Sequence, residues 1–318
     1  MRAVLLAALI TWMRTGVPPE RVYEVAAHPA IPAIALAALD SGVYRTTDDG
    51  AHWQHVSDRA LYSFTFNPFD AREVCAIIDG FREPAMIARA YCSEDHGATW
   101  SPMPSDSGIS FLLFDRGTRD RMYAGVAYGN QWINVSSDHG KTWTAHGFTD
   151  GHPSFHGWAA TDHNSNVFAT SWPHGGTPYY YFTQSVYRSR DAGNNWVLIG
   201  DDPDRWIVAN DSTIYFAVGS ELRMSVNAGT TFERRSTLPV ASIESLASDP
   251  ARSRIVYAAG DNGRLFESLD AGATWSRIDA GAFRDRVVSI SAGADGIVYA
   301  ATADALFAMK VVGKRRGV

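Results

Sequence analysis

Apolar and polar residues alternate in short runs along most of this chain, and clusters of Asp, Asn, Gly, Pro and Ser break the runs. A period of two marks strands with one buried face. Breaks this frequent leave no window for a capped amphipathic helix. Residues 241–278 show the unit clearly. Residues 241–248 alternate as a first strand, and Asp249-Pro250-Ala251-Arg252-Ser253 turns the chain. Residues 254–259, 264–268 and 274–278 then give three more strands. Between the third and fourth stands Ser268-Leu269-Asp270-Ala271-Gly272-Ala273-Thr274-Trp275, a box that recurs as TTDDGAHW at 46–53, SEDHGATW at 93–100, SSDHGKTW at 136–143, SRDAGNNW at 189–196 and SVNAGTTF at 225–232.

The chemistry of the box is that of a turn. An Asp or Asn side chain accepts hydrogen bonds from backbone N–H groups just ahead of it. The Gly takes a conformation with positive φ that other residues resist. The Trp or Phe opens the next strand with a large apolar surface. The box Asp residues are therefore expected to tie turns rather than to act as catalytic acids or metal ligands. His52, His96 and His139, which lie inside boxes, are assigned to the turns as well.

The box glycines fall at 50, 97, 140, 193, 229 and 272, at intervals of 47, 43, 53, 36 and 43 residues. A period in the forties, with four strands and a Trp-bearing turn per repeat, predicts an all-β, seven-bladed β-propeller of four-stranded blades occupying residues 1–318 as one domain. The seventh repeat has no box and only three strands, at 286–291, 296–301 and 305–310. Ile10-Thr11-Trp12-Met13-Arg14 resembles Ala273-Thr274-Trp275-Ser276-Arg277. Residues 1–15 are thus expected to supply the missing strand and close the ring. The alternative is a leader, since Arg2 precedes the apolar run 3–10. The compartment is thus expected to be extracytoplasmic if residues 1–15 are a leader and cytoplasmic if they are the closing strand.

Charge and cysteine content narrow the picture. The net charge is −6, and the 28 basic residues are scattered, which argues against a nucleic-acid partner. No run reaches the roughly 18–20 apolar residues of a membrane span. Cys75 and Cys92 lie on adjacent strands, with the midpoint of the connection at Glu83-Pro84. In the sixth repeat Tyr257 and Glu267 hold the matching places around a tight Asp261-Asn262-Gly263 turn. The two cysteines therefore face each other, either as a cross-strand disulfide or as two thiols.

The boxes and their surroundings, notably Ile255-Val256-Tyr257-Ala258-Ala259 and Leu265-Phe266-Glu267 before the sixth box, resemble the BNR/Asp-box repeat family. They look most like its short-bladed branch of photosystem II assembly-factor, sortilin-type and xyloglucan-hydrolase propellers. The resemblance spans residues 12–310 and implies the fold, while activities differ across such proteins. A sialidase-like site would need a Phe-Arg-Ile-Pro motif before the first box. Phe81-Arg82-Glu83-Pro84 has Glu83 in place of Ile and follows that box. A xyloglucan-hydrolase cleft lies between two propellers, and this chain supplies one.

Propeller geometry puts the box turns and the first-to-second-strand turns on one face. The second-to-third-strand loops and the links between blades share the other. The second face carries the long loops, at 79–88, 127–133 and 171–184, and long loops on a repetitive scaffold are where function usually sits. Candidate ligand-binding residues there are Arg82, Tyr128, Trp132, Trp172, His174, Tyr179, Arg205 and Arg286. Aromatic platforms beside Arg and carboxylates suit a glycan or a protein segment; the alternative is that the aromatics pack on one another. Glu83, Asp204, Glu244 and Asp285 are the candidate catalytic carboxylates if the chain is a glycoside hydrolase or lyase, which needs a pair about 5 to 9.5 Å apart. His152, His156 and His174 share that face and are the candidate ligands for a metal ion. No other cofactor is expected. A binding propeller without catalysis is favoured over the carbohydrate-active enzyme, because no strong catalytic motif is present.

Overall fold

The structure is a computed structural model and describes residues 11–78, 89–104, 109–126, 132–147, 155–171, 185–201, 205–208, 212–279, 281–283 and 285–310. Its strands form seven four-stranded antiparallel sheets. Numbered along the chain, blades one to seven begin with the strands Val22–Ala27, Leu61–Phe66, Ile109–Phe114, Phe155–Thr161, Arg205–Val208, Ile243–Ser248 and Val287–Ala292. Each of these first strands packs against the first strands of both neighbouring blades, so they form the inner ring of a β-propeller.

The core is divided by seam rather than gathered at one centre. Seven apolar clusters each draw on two adjacent blades. The second strands are largely buried and rich in apolar residues, as in the wholly buried, all-apolar Ala35–Leu39. In blade six, Tyr257 and Ala259 face the seam with blade seven, while Val256 and Ala258 face blade five. Alternation thus survives as a choice between two dry seams.

The ring closes as the sequence predicts. Met13 pairs with Ala308 and Arg14 with Phe307 at the outer edge of blade seven. Trp12 is buried and donates Nε1–H to the Ile278 carbonyl at 2.8 Å, tying this strand to the exit of blade six. Its ring meets Phe283 edge-on at 5.0 Å. Residues 1–10, and with them the apolar run of the alternative leader, lie outside the described residues.

The boxes are turns built from two nested caps. In blade six, Ser268 Oγ accepts from Gly272 N at 2.7 Å and donates to Asp270 Oδ1 at 2.8 Å. Asp270 then accepts from Thr274 N at 2.8 Å and from Thr274 Oγ1 at 2.7 Å. Burial pushes the Asp270 carboxyl up, but these donors outweigh it and hold the group down at about 2. Two successive residues take positive φ, Ala271 at 61° and Gly272 at 78°. The residue before the glycine is left-handed in every box, which the sequence pattern does not show. The glycine meets a second requirement too, because a Cβ on Gly272 would sit 2.4 Å from Leu222 Cδ2 in blade five.

Each box is also gripped by the preceding blade. Arg45 of blade one donates Nε–H to the His96 carbonyl at 2.8 Å. Glu73 of blade two holds His139 Nε2 at 2.7 Å. His146 of blade three meets Asn194 Oδ1 at 2.9 Å. Arg188 of blade four donates to the Ala228 carbonyl, and Arg235 of blade five to the Ala271 carbonyl at 3.0 Å. Lys310 of blade seven reaches Asp49 at 2.5 Å. The latch is an arginine at three of these seams and Glu, His or Lys at the others, while its target is the box each time. His96 and His139 are therefore seam residues as well as turn residues.

The first-to-second-strand turns lie against the boxes. The N–H of the left-handed residue before the glycine donates to a carbonyl of that turn, as from His96 to Arg72 at 2.7 Å and from Ala271 to Arg254 at 2.8 Å. Side chains cap several of these turns. Asp115 Oδ1 accepts from Gly117 N at 2.8 Å and Thr118 N at 3.1 Å. Asp249 Oδ1 does the same for Ala251 and Arg252. In blade one the cap is His28, whose Nδ1 accepts from Ala30 N at 3.1 Å and Ile31 N at 2.9 Å. Its Nε2 donates to the Ala71 carbonyl of blade two at 2.7 Å, and burial lowers its pKa, as suits a neutral ring.

Cys75 and Cys92 are directly opposed in blade two and joined by a disulfide.

Candidate functional site

With the box face occupied by turns and latches, the links and second-to-third-strand turns of the opposite face remain. Backbone bonds join them. Asp40 N donates to the Arg21 carbonyl at 3.2 Å, Asp261 N to Ser242 at 3.0 Å, Ile243 N to Gly219 at 2.8 Å and Val22 N to Ala303 at 3.2 Å. Carboxylates reinforce the same joints. Asp261 Oδ1 caps Ala241 N at 3.1 Å, and Glu20 Oε2 caps Ser41 N at 3.1 Å.

The structure brings three of the predicted site residues together. Arg205 opens the first strand of blade five, Glu244 lies on that of blade six, and Arg286 immediately precedes that of blade seven. Arg205 Nε donates to the Glu244 carbonyl at 2.6 Å, and its Nη2 stands 3.6 Å from Glu244 Oε2. Arg286 Nη2 donates to the same Oε2, and Ser242 Oγ donates to Oε1 at 2.7 Å. The Glu244 side chain is only 14% exposed, against 54% for Arg286. Arg286 and Ser242 thus occupy both carboxylate oxygens, and Arg205 packs beside them. The carboxylate is organised to hold two guanidinium groups in place rather than stand bare beside a substrate.

Two more arginines mark the same rim. Arg21 stacks over the Tyr23 ring at 4.8 Å, and Tyr23 Oη donates to Asp40 Oδ1 at 2.5 Å. Arg59 stacks over Tyr91 at 4.8 Å. Such contacts restrain a long side chain by packing it on a ring. Asp285 is exposed beside Arg286.

The other predicted positions are less defined. Arg82, Glu83, Tyr128, His152, Trp172, His174, Tyr179 and Asp204 lie outside the described residues. Trp132 begins the strand Trp132–Ser136 and His156 belongs to Phe155–Thr161, each placed by its backbone alone. Among the described residues no group of three or more His, Cys, Asp or Glu is arranged to hold a metal ion. No described helix is long and apolar enough to cross a membrane.

One residue of the inner ring escaped the sequence reasoning. Glu24 accepts from Ser63 N at 2.5 Å and Phe64 N at 3.3 Å, across the seam to blade two. There the inner strand bulges between Tyr62 and Thr65, and Ser63 has a φ of 58°. Burial pushes the Glu24 carboxyl up to about 7 despite these two donors. The matching residues of blades six and seven are serines: Ser245 accepts from Ile290 N at 3.2 Å, and Ser289 from Val25 N at 3.4 Å. A serine spans a regular seam, whereas the bulge needs a longer arm. The available signal was a Glu where the sixth and seventh repeats carry Ser.

Comparison with known proteins gives the chain a setting. No family model matches it. A Paenibacillus xyloglucanase is 27% identical over 211 residues, covering 58% of this chain and 18% of that enzyme. The chain thus spans less than a fifth of that relative's length. Among solved structures, YCF48 from Cyanidioschyzon merolae superposes with a TM-score of 0.69 at 17% identity, over 94% of this chain and 98% of that one. YCF48 bound to a D1 peptide gives 0.69 at 16% identity, over 96% and 97%. The GH74 enzyme of Niastella koreensis gives 0.69 at 15% identity, over 96% of this chain but 54% of that one. At such identities the likeness shows the fold: a seven-bladed β-propeller whose structural neighbours include YCF48 and GH74 xyloglucanases.

Proposed function

We propose that this chain is a binding propeller that holds a carboxylate-bearing protein segment on its loop-rich face without catalysis. The observation that carries this is the Arg205–Glu244–Arg286 cluster, where a candidate catalytic acid is instead bound to two arginines. Arg21 and Arg59, stacked on Tyr23 and Tyr91, lie on neighbouring links, and a YCF48 propeller of similar extent has been captured with a peptide. We further propose that the repeats are Asp boxes of the BNR type and that residues 1–318 form one domain. The box hydrogen bonds and the seven-blade count support both. Trp132 and Trp172 are proposed as the aromatic wall of the site, beside Tyr128, Tyr179, His174 and Arg82.

The second proposal is a glycoside hydrolase acting on a xyloglucan-like glycan, and the Paenibacillus relative favours it. In that case Glu83, Asp204, Glu244 and Asp285 are the carboxylates to test. The two separate in one set of assays on the whole chain. Acidic and neutral peptide arrays and xyloglucan are probed in parallel, and reducing ends are followed on the glycan. The binding propeller predicts retention of acidic peptides, weakened about tenfold or more by Arg286→Ala and by Trp132→Ala with Trp172→Ala, and no new reducing ends. Release of reducing ends that is lost in Glu244→Gln overturns it in favour of the hydrolase.

A further inference from the structure

Blade two differs from the other blades in carrying a covalent cross-link. Cys75 lies on Val74–Ile78 and Cys92 on Arg89–Ser93, and the ladder runs without a break from Val74↔Ser93 to Ile78↔Arg89. Cys75 is fully buried, and both cysteines pack in the apolar seam between blades two and three with Ile77, Leu112, Met122 and Trp143. Beyond Cys92 lies the outer strand Ser101–Pro102, only two residues long, with Ser101 opposite Cys92. Pro102 has no N–H for the ladder, so the edge of this blade is weakly tied.

We propose that the Cys75–Cys92 bond is an obligatory structural staple formed during maturation in an oxidising compartment, and that it is inert to thiol exchange while the propeller is folded. Two opposed thiols in a dry seam would pack as small apolar groups, so the bond is not needed to fill space. Its effect is to hold together the two middle strands of a blade whose fourth strand is short. Formation is a thiol–disulfide exchange. The thiolate of one cysteine attacks the disulfide of an oxidant protein to give a mixed disulfide. The second thiolate then displaces that partner, the oxidant leaves as a dithiol, and the two cysteines have lost two protons and two electrons. Reduction runs backwards and must start at Cys92, the less buried sulfur, which Ser101 flanks. Cys75 would then have to leave as a thiolate inside an apolar seam, where burial disfavours the charge. Glutathione and thioredoxin keep cytosolic thiols reduced, so a bond of this kind belongs to a chain that matures outside the reducing cytosol.

The whole chain, produced in an oxidising compartment, is denatured and treated with a maleimide-polyethylene glycol to count thiols. Separate folded samples are exposed to dithiothreitol with and without guanidinium, and the melting temperatures of the oxidised and reduced forms are compared. The staple predicts no free thiol at the outset and two after reduction in guanidinium. It also predicts native-state reduction at least tenfold slower, and a melting temperature lower by about 4–8 °C once the bond is open. The Cys75→Ala, Cys92→Ala variant repeats the loss, and reduction of the unmodified chain decides the matter should that variant fail to fold. Two reactive thiols in the starting protein overturn the proposal. So does native reduction as fast as in guanidinium, or an unchanged melting temperature after opening.

Discussion

Replacing Asp270 tests whether a box is a rivet or a site. Its carboxylate accepts from Thr274 N, Thr274 Oγ1 and Ser268 Oγ at 2.7–2.8 Å. The shift from 3.8 to about 2 corresponds to about 2.5 kcal/mol at 1.36 kcal/mol per unit. The group is partly exposed and screened, which reduces this to about 1 kcal/mol. Loss of the cap itself costs roughly 0.5–2 kcal/mol, so Asp270→Ala is expected to destabilise by about 1–2 kcal/mol, a fall of about 2–4 °C in melting temperature. Blade five supplies a natural control. Asn227 keeps the box with Oδ1 accepting from Thr231 N at 2.9 Å and Nδ2 donating to Thr231 Oγ1 at 2.9 Å. Asp270→Asn should therefore cost less than half as much as the alanine. The folded pKa is depressed, so the carboxylate's contribution is present above about pH 4 and lost as pH falls towards 2. The gap between the native chain and Asp270→Asn should close over that window. Denaturant melts at several pH values measure all of this. An unchanged melting temperature in Asp270→Ala together with lost ligand binding, or an asparagine as harmful as the alanine, would refute the assignment of boxes to structure.

Three further outcomes follow from the geometry. Glu24 has a folded pKa of about 7 against 4.5, so its contribution is present below pH 4.5 and lost as pH rises through 7. Glu24→Gln should thus melt increasingly above the native chain between pH 5 and 7, by up to about 3 kcal/mol, and a pH-independent gap would contradict this. Trp12→Ala removes the closing indole and its bond to Ile278, and should cost about 3–5 kcal/mol by denaturant titration, whereas a loss under 1 kcal/mol would mean that the closing strand is dispensable. Tyr123 Oη donates to Asp115 Oδ2 at 2.9 Å, while Tyr299 Oη is buried without a hydrogen-bond partner in the structure. Tyr123→Phe is expected to cost about 1–2 kcal/mol and Tyr299→Phe nothing or less, and the reverse order in calorimetry would show these environments to be misassigned.

Short-range chemistry made most of the fold legible. An Asp, a Gly and a Trp at fixed offsets specify a turn within eight residues, and six copies at a period in the forties define the ring. The likeness of Trp12 to Trp275 located the closing strand for the same reason, since each starts an outer strand. The opposition of Cys75 and Cys92 followed from counting along a hairpin. The long-range partners were not legible. Nothing near Glu73 in the sequence announces His139, and nothing near Arg235 announces the Ala271 carbonyl, because each latch crosses a seam. His28 was hidden because an imidazole nitrogen can replace the carboxylate oxygen that caps the equivalent turns. At the candidate site, the positions of Arg205, Glu244 and Arg286 at the starts of three consecutive blades were readable. What Glu244 binds was not, because Arg205 and Arg286 come from two other blades.

The seam between blades seven and one has a consequence for how the chain is made. Every other box is gripped by a blade that has already left the ribosome. The first box is the exception: Asp49 waits for Lys310, 261 residues later, and Met13 for Ala308. Synthesis at ~5–20 residues per second therefore leaves one flank of the nascent protein bare for ~13–50 seconds. Through that interval Ala35, Ala37 and Leu39 have no neighbour where Tyr299 and Leu306 will later pack. Chaperones that recognise exposed apolar strands are expected to engage blade one, and to release it only when the last blade arrives.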